Sequence, residues 1–183
     1  MKKTTIVAFV IFVTTVIMIS TLEFPRNALG QSYLDECSTI GTDNIDKLKG
    51  TWDEDIICGL EGNDILLGKR GSDTIIGGKG TDFIKGGKGP DDLVGAKGND
   101  KIGGGMGDDK IAGNQGNDLL VGARGFDLLI GGPGNDVIVG GLGNDLLEGG
   151  SGQDYFNCGK GKDKIKDFNS FEGDLKEPDC EVF

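Results

Sequence analysis

The chain has 183 residues and a formal net charge of −11, with 35 glycines, one Trp, two Tyr and no His. So much Gly and so few aromatics exclude an ordinary globular core. The missing histidine excludes His-based triads, zinc-metalloprotease helices and most general-base schemes.

Residues 1–30 read as an address. Lys2 and Lys3 precede an apolar run from Ile6 to Ile19, and Ala28-Leu29-Gly30 offers small residues where a signal peptidase reads. The expectation is a secretory signal cut before Gln31; an uncleaved membrane anchor is the alternative, because the apolar run is long. Either way the lysines hold the N-terminus inside and the rest of the chain faces outside, secreted or at the cell surface. Residues 1–30 carry Lys2, Lys3, Arg26 and Glu23, a net +2, so the mature chain carries −13.

Residues 31–49 are expected to form an N-terminal cap. Gly41-Thr42-Asp43-Asn44-Ile45 looks like the end of a repeat unit set out of step by Lys47-Leu48-Lys49. Atypical terminal units of this kind shield the edges of a stacked array.

From Gly50 to Lys166 the chain repeats every nine residues through thirteen windows. Gly59-Leu60-Glu61-Gly62-Asn63-Asp64-Ile65-Leu66-Leu67 is one of them. Position six is always Asp, and position eight is always large and apolar: Ile57, Leu66, Ile75, Ile84, Leu93, Ile102, Ile111, Leu120, Leu129, Ile138, Leu147, Phe156, Ile165. A fixed period of this length predicts a solenoid of units that cannot stand alone. Gly-rich positions one to six suit tight turns, and positions seven to nine suit a short strand. Stacked coils then superpose their aspartates about 4.8 Å apart, where two carboxylates repel by roughly 3 to 4 kcal/mol at an effective dielectric of 20. A divalent ion between coils relieves this. Oxygen donors without His or thiolate in the repeat favour Ca²⁺ over Mg²⁺.

The candidate ligands are Asp64, Asp73, Asp82, Asp91, Asp100, Asp109, Asp118, Asp127, Asp136, Asp145, Asp154 and Asp163. Asp55 and Asp43 stand apart. The first unit has Thr51 and Asp53 where Gly is usual, which leaves both aspartates open to a structural role. Leu60, Lys69, Asn114, Ala96 and Ala123 depart from Gly at position two, and Pro90 and Phe126 restrict position five.

These thirteen units resemble the RTX, or haemolysin-type, calcium-binding repeat over about two thirds of the chain; the general link between this nonapeptide and Ca²⁺ is well established. The resemblance implies an all-β, right-handed parallel β-roll with two units per coil. It also implies several Ca²⁺ ions, held between coils by Asp carboxylates and main-chain carbonyls.

After Lys166 the period stops, and 167–183 reads as a C-terminal cap. Asp167-Phe168-Asn169 and Glu172-Gly173-Asp174 resemble the segment that follows such arrays, with Phe168 and Phe171 as candidates to cover the last coil. Cys37, Cys58, Cys158 and Cys180 form an even set in an exported chain, so disulfides are expected. About six coils separate Cys58 from Cys158, roughly 25 to 30 Å, whereas a disulfide needs Cα atoms within about 7 Å. That leaves Cys37–Cys58 and Cys158–Cys180, each tying a cap to a terminal coil.

No Gly-x-Ser-x-Gly and no P-loop occurs, and the carboxylates are claimed by the repeat, so catalysis is not expected. The reading is a chain that binds Ca²⁺ and folds when it does. The alternative is a surface or adhesion module for which calcium is scaffold. Its docking patch would be the outward apolar residues Leu119, Val121, Val137 and Val139, with Leu128, Ile130 and Leu146 nearby.

Overall fold

The computed structural model describes residues 36–182. The expected address over 1–30 lies outside the described residues. Within them there is no helix. Two short strands, β1 (Thr39–Ile40) and β2 (Lys47–Lys49), lead into twelve six-residue strands, from β3 (Ile56–Glu61) to β14 (Tyr155–Lys160). Three two-residue strands follow, β15 (Lys164–Ile165), β16 (Leu175–Lys176) and β17 (Glu181–Val182). Odd-numbered strands form one nine-stranded sheet and even-numbered strands a second, eight-stranded one, with every neighbour pair parallel. The register is eighteen residues, as in Leu120 opposite Ile102 on one side and Ile138 on the other. This is the two-units-per-coil solenoid, with about eight turns.

Period two within each strand sends position eight inward and positions seven and nine outward. The inward residues, from Ile57 through Phe156 to Ile165, are all buried and form one continuous core between the sheets. Each such Leu or Ile contributes ~2 kcal/mol by leaving water. No coil has a second apolar layer, so this row carries the fold.

Strands are longer than the sequence suggests. They run from position seven through position three of the next unit, as in Leu119–Arg124. The backbone bends at position two, where Leu60, Lys69, Ala96, Asn114 and Ala123 all take positive φ, from 72° at Asn114 to 92° at Lys69. These five departures from Gly therefore keep the glycine conformation rather than breaking the coil. Position four is stricter: at Gly80, with φ of 136°, an added Cβ would stand 1.6 Å from the Gly62 carbonyl oxygen of the coil before.

The ends correct two expectations. The register does not start at Gly50. Leu48 lies opposite Leu66, so Gly41, Asp46 and Leu48 occupy positions one, six and eight of an in-step unit, and Asp43 is an exposed loop residue. At the other end Phe168 covers Phe156, with ring centroids 6.3 Å apart, but Phe171 is fully exposed and covers nothing. The cysteines pair Cys37–Cys58 and Cys158–Cys180, one bridge at each end of the array. The outward apolar residues divide between the faces: Leu119, Val121, Val137 and Val139 lie on the even sheet, and Leu128, Ile130 and Leu146 on the odd.

Candidate metal centre

Each coil brings two sixth-position aspartates to the ends of its strands, one at the entry to each sheet. Those at the entry to the even sheet are Asp64, Asp82, Asp100, Asp118, Asp136 and Asp154; those at the odd sheet are Asp73, Asp91, Asp109, Asp127, Asp145 and Asp163. All twelve are buried, at most 2% exposed. In each, Oδ1 accepts a hydrogen bond from the backbone N–H of the aspartate one coil earlier, at distances from 2.7 Å (Asp100 to Asp118) to 3.0 Å (Asp55 to Asp73). An N–H thus sits between stacked carboxylates and relieves part of the repulsion expected from their spacing. The nine-residue pattern could not reveal this donor.

The other oxygen has no such partner. Oδ2 of all twelve aspartates is buried without a hydrogen bond. Leaving one such group unmet costs about 1–3 kcal/mol, and more when it is charged. That is comparable with the ~2 kcal/mol each core residue returns.

The carboxyl pKa values reflect the same burial. Burial, partly offset by the N–H bond and reinforced by the neighbouring aspartates, raises Asp100, Asp109 and Asp136 to about 7. Asp91, Asp118, Asp145 and Asp154 are raised to about 6, again chiefly by burial. Asp64, Asp73, Asp82 and Asp127 shift the same way for the same main cause.

Position one explains where a cation would fit. At Gly59 an added Cβ would stand 2.5 Å from Asp64 Oδ2 and 2.4 Å from the Gly77 carbonyl oxygen of the next coil. At Gly131 the corresponding distances are 2.3 Å to Asp136 Oδ2 and 2.5 Å to the Gly149 oxygen. Glycine here leaves a small cradle walled by a carboxylate oxygen and a carbonyl oxygen. No group of three or more His, Cys, Asp or Glu converges among the described residues, so the coordination must be completed by main-chain oxygens. That donor set, hard oxygens only, fits Ca²⁺. Cys158 replaces the glycine in the unit of Asp163 and Phe156 crowds Gly149 in the unit of Asp154, so the cradle is altered at the C-terminal end.

The two aspartates that begin the columns, Asp46 before Asp64 and Asp55 before Asp73, differ. Asp55 Oδ2 accepts from the Thr51 N–H at 2.6 Å and the Thr51 hydroxyl at 3.0 Å. Asp46 Oδ2 accepts from the Thr42 N–H at 2.6 Å and hydroxyl at 2.9 Å. Asp46, overlooked from sequence, could have been found by counting nine residues back from Asp55. At the far end Asp174 supplies Oδ1 to the Asp154 N–H, and its Oδ2 accepts from the Asn169 N–H at 2.8 Å. These three are closed by protein groups, and Asp43 stands outside both columns.

A family model of the RTX calcium-binding nonapeptide repeat (4 copies) matches residues 40–66, 59–93, 86–120, 94–129, 112–147, 121–156 and 130–165. A search of curated proteins found no match.

Proposed function

The chain belongs to the RTX calcium-binding nonapeptide repeat family, whose repeats bind multiple Ca²⁺ ions, and from that premise we propose that it is an exported module folded by calcium. The observation that carries the proposal is the set of twelve orphaned Oδ2 atoms. Asp64 through Asp163, at nine-residue intervals, offer these oxygens to Ca²⁺, joined by carbonyls of adjacent coils. Bound calcium supplies the positive charge that lets each carboxylate stay ionised while buried. The chain's own groups do the rest: the N–H donors hold the carboxylates in line, position-one glycines leave the space, and the eighth-position residues close the core. Binding free energy then becomes folding free energy.

An RTX β-roll is typically structural rather than catalytic. In this reading residues 36–40 and 167–183 close an array running over 41–166, and the two disulfides suit an oxidising compartment outside the cell. Calorimetric titration tests it. Saturable Ca²⁺ binding is expected, with Asp100→Asn reducing the number of ions bound and Mg²⁺ unable to compete. No binding at millimolar Ca²⁺, the range typical of extracellular modules, would remove the reading.

A further inference from the structure

The two faces of the coil differ in charge far more than the repeat requires. Odd-sheet strands carry four Lys (79, 97, 110, 164) against four acids (Glu61, Asp92, Glu148, Glu181). Their charges pair across strands: Lys79 with Glu61 at 2.9 Å and Lys110 with Asp92 at 3.4 Å. Even-sheet strands carry ten Lys or Arg and no Asp or Glu, in a chain of net charge −11. None of the ten forms an ion pair among the described residues.

The cations are arranged by register. Arg70, Lys88 and Arg124 share the position-three row, while Lys101 and Lys85 stand in the outward rows at positions seven and nine. Apolar side chains occupy the same two outward rows. Phe83 is 47% exposed and Val137 38%; Leu119 and Val139 lie beside Val137 and Val121 in register. In a parallel sheet spaced ~4.8 Å per coil, Lys101 thus stands next to Phe83 and Lys85 in the neighbouring outward row.

We propose that the even sheet docks on an anionic lipid surface. A bilayer interface offers phosphates to the lysines and arginines and apolar contact to Phe83 and Val137 at once. Each cation near such a surface is worth about 1 kcal/mol. A second copy docked face to face would set like charges together with no acid to relieve them. A linear polyanion would use the cations alone and leave the interleaved apolar rows uncovered. The proposal rests on the calcium-loaded coil, so circular dichroism in calcium is recorded beside every binding measurement and separates loss of fold from loss of docking.

The test is co-sedimentation of the calcium-loaded chain with phosphatidylcholine vesicles, plain or rich in phosphatidylglycerol. Binding only to the anionic vesicles, reversed by salt, is expected. Lys85→Gln with Lys101→Gln should weaken it about thirtyfold, at about 1 kcal/mol per cation. Lys79→Gln with Lys97→Gln, on the odd sheet, should leave it unchanged. Equal loss in both pairs, or no loss in either, would mean that calcium merely bridges acids to phosphate, and overturns the proposal. So would failure to bind vesicles alongside retention on a sulfated polysaccharide.

Discussion

Units 41–58 and units 59–166 are built on one template yet close their carboxylates in different ways. In the first pair Thr42 and Thr51 hold Oδ2 of Asp46 and Asp55 with an N–H and a hydroxyl each. In every later unit Oδ2 is left bare. The difference lies at position two. Regular units bend there through positive φ, which β-branched Thr resists, and Thr42 and Thr51 are absent from the positive-φ residues. In the first two units the carboxylate oxygen is met by a threonine; in the rest, in the function proposed above, a cation takes that place. The disulfide Cys37–Cys58 joins the threonine-closed end, and Asn169 closes Asp174 at the other. The ends meet these oxygens with protein groups and the middle does not.

Protons should expose this difference most strongly. Carboxylates raised to about 6 or 7, such as Asp91 and Asp100, make the folded coil bind more protons than the unfolded chain between about pH 4 and 7. Their contribution to stability is complete below the ordinary value of 3.8 and is lost as pH rises through 6 to 7. In chelator, acidifying from about pH 8 to about pH 5 is therefore expected to increase the β signal, while the calcium needed at the lower pH increases. A chelated protein that loses β-structure on the same titration would contradict the cause given for these shifts.

A pair of substitutions probes the two regions separately. Asp100→Ala with Asp118→Ala removes two stacked candidate ligands and leaves the Asp82 and Asp100 N–H groups without acceptors. At about 2 kcal/mol for each lost acceptor, the calcium concentration at half-folding should rise tenfold or more. Asp46→Ala with Asp55→Ala should lower thermal stability in calcium but leave the number of bound ions unchanged. Calorimetry distinguishes them, and a lower ion count in the second variant would erase the distinction between the regions. The smallest effect is Thr51→Val. It removes one of the two donors to Asp55 Oδ2 at a cost of about 1 kcal/mol, read as a small fall in melting temperature at saturating calcium.

Most of the middle was legible because two chemical demands recur every nine residues. The apolar eighth position marked Leu66 through Ile165 as core, and the sixth marked Asp64 through Asp163 as stacked aspartates, which the structure divides into two columns. The disulfides followed from coil spacing once the resemblance set two units per coil. What stayed hidden were non-repeating or cross-coil events. Thr51 looked like a failed glycine, although its N–H and hydroxyl close Asp55 Oδ2. Lys47 and Lys49 masked an in-step Leu48, so the array seemed to begin one unit late. Phe168 and Phe171 are equivalent by residue type, and only the turn geometry turns one inward. The N–H donors eighteen residues away appear in no linear motif.

Circular dichroism of the disulfide-intact chain at neutral pH, in chelator and then with added calcium, tests the central claim most directly. The expected record is weak β signal in chelator, held by the closed ends, and a cooperative gain with Ca²⁺ that Mg²⁺ does not produce. A full β signal in chelator, unchanged when calcium is added, would contradict it.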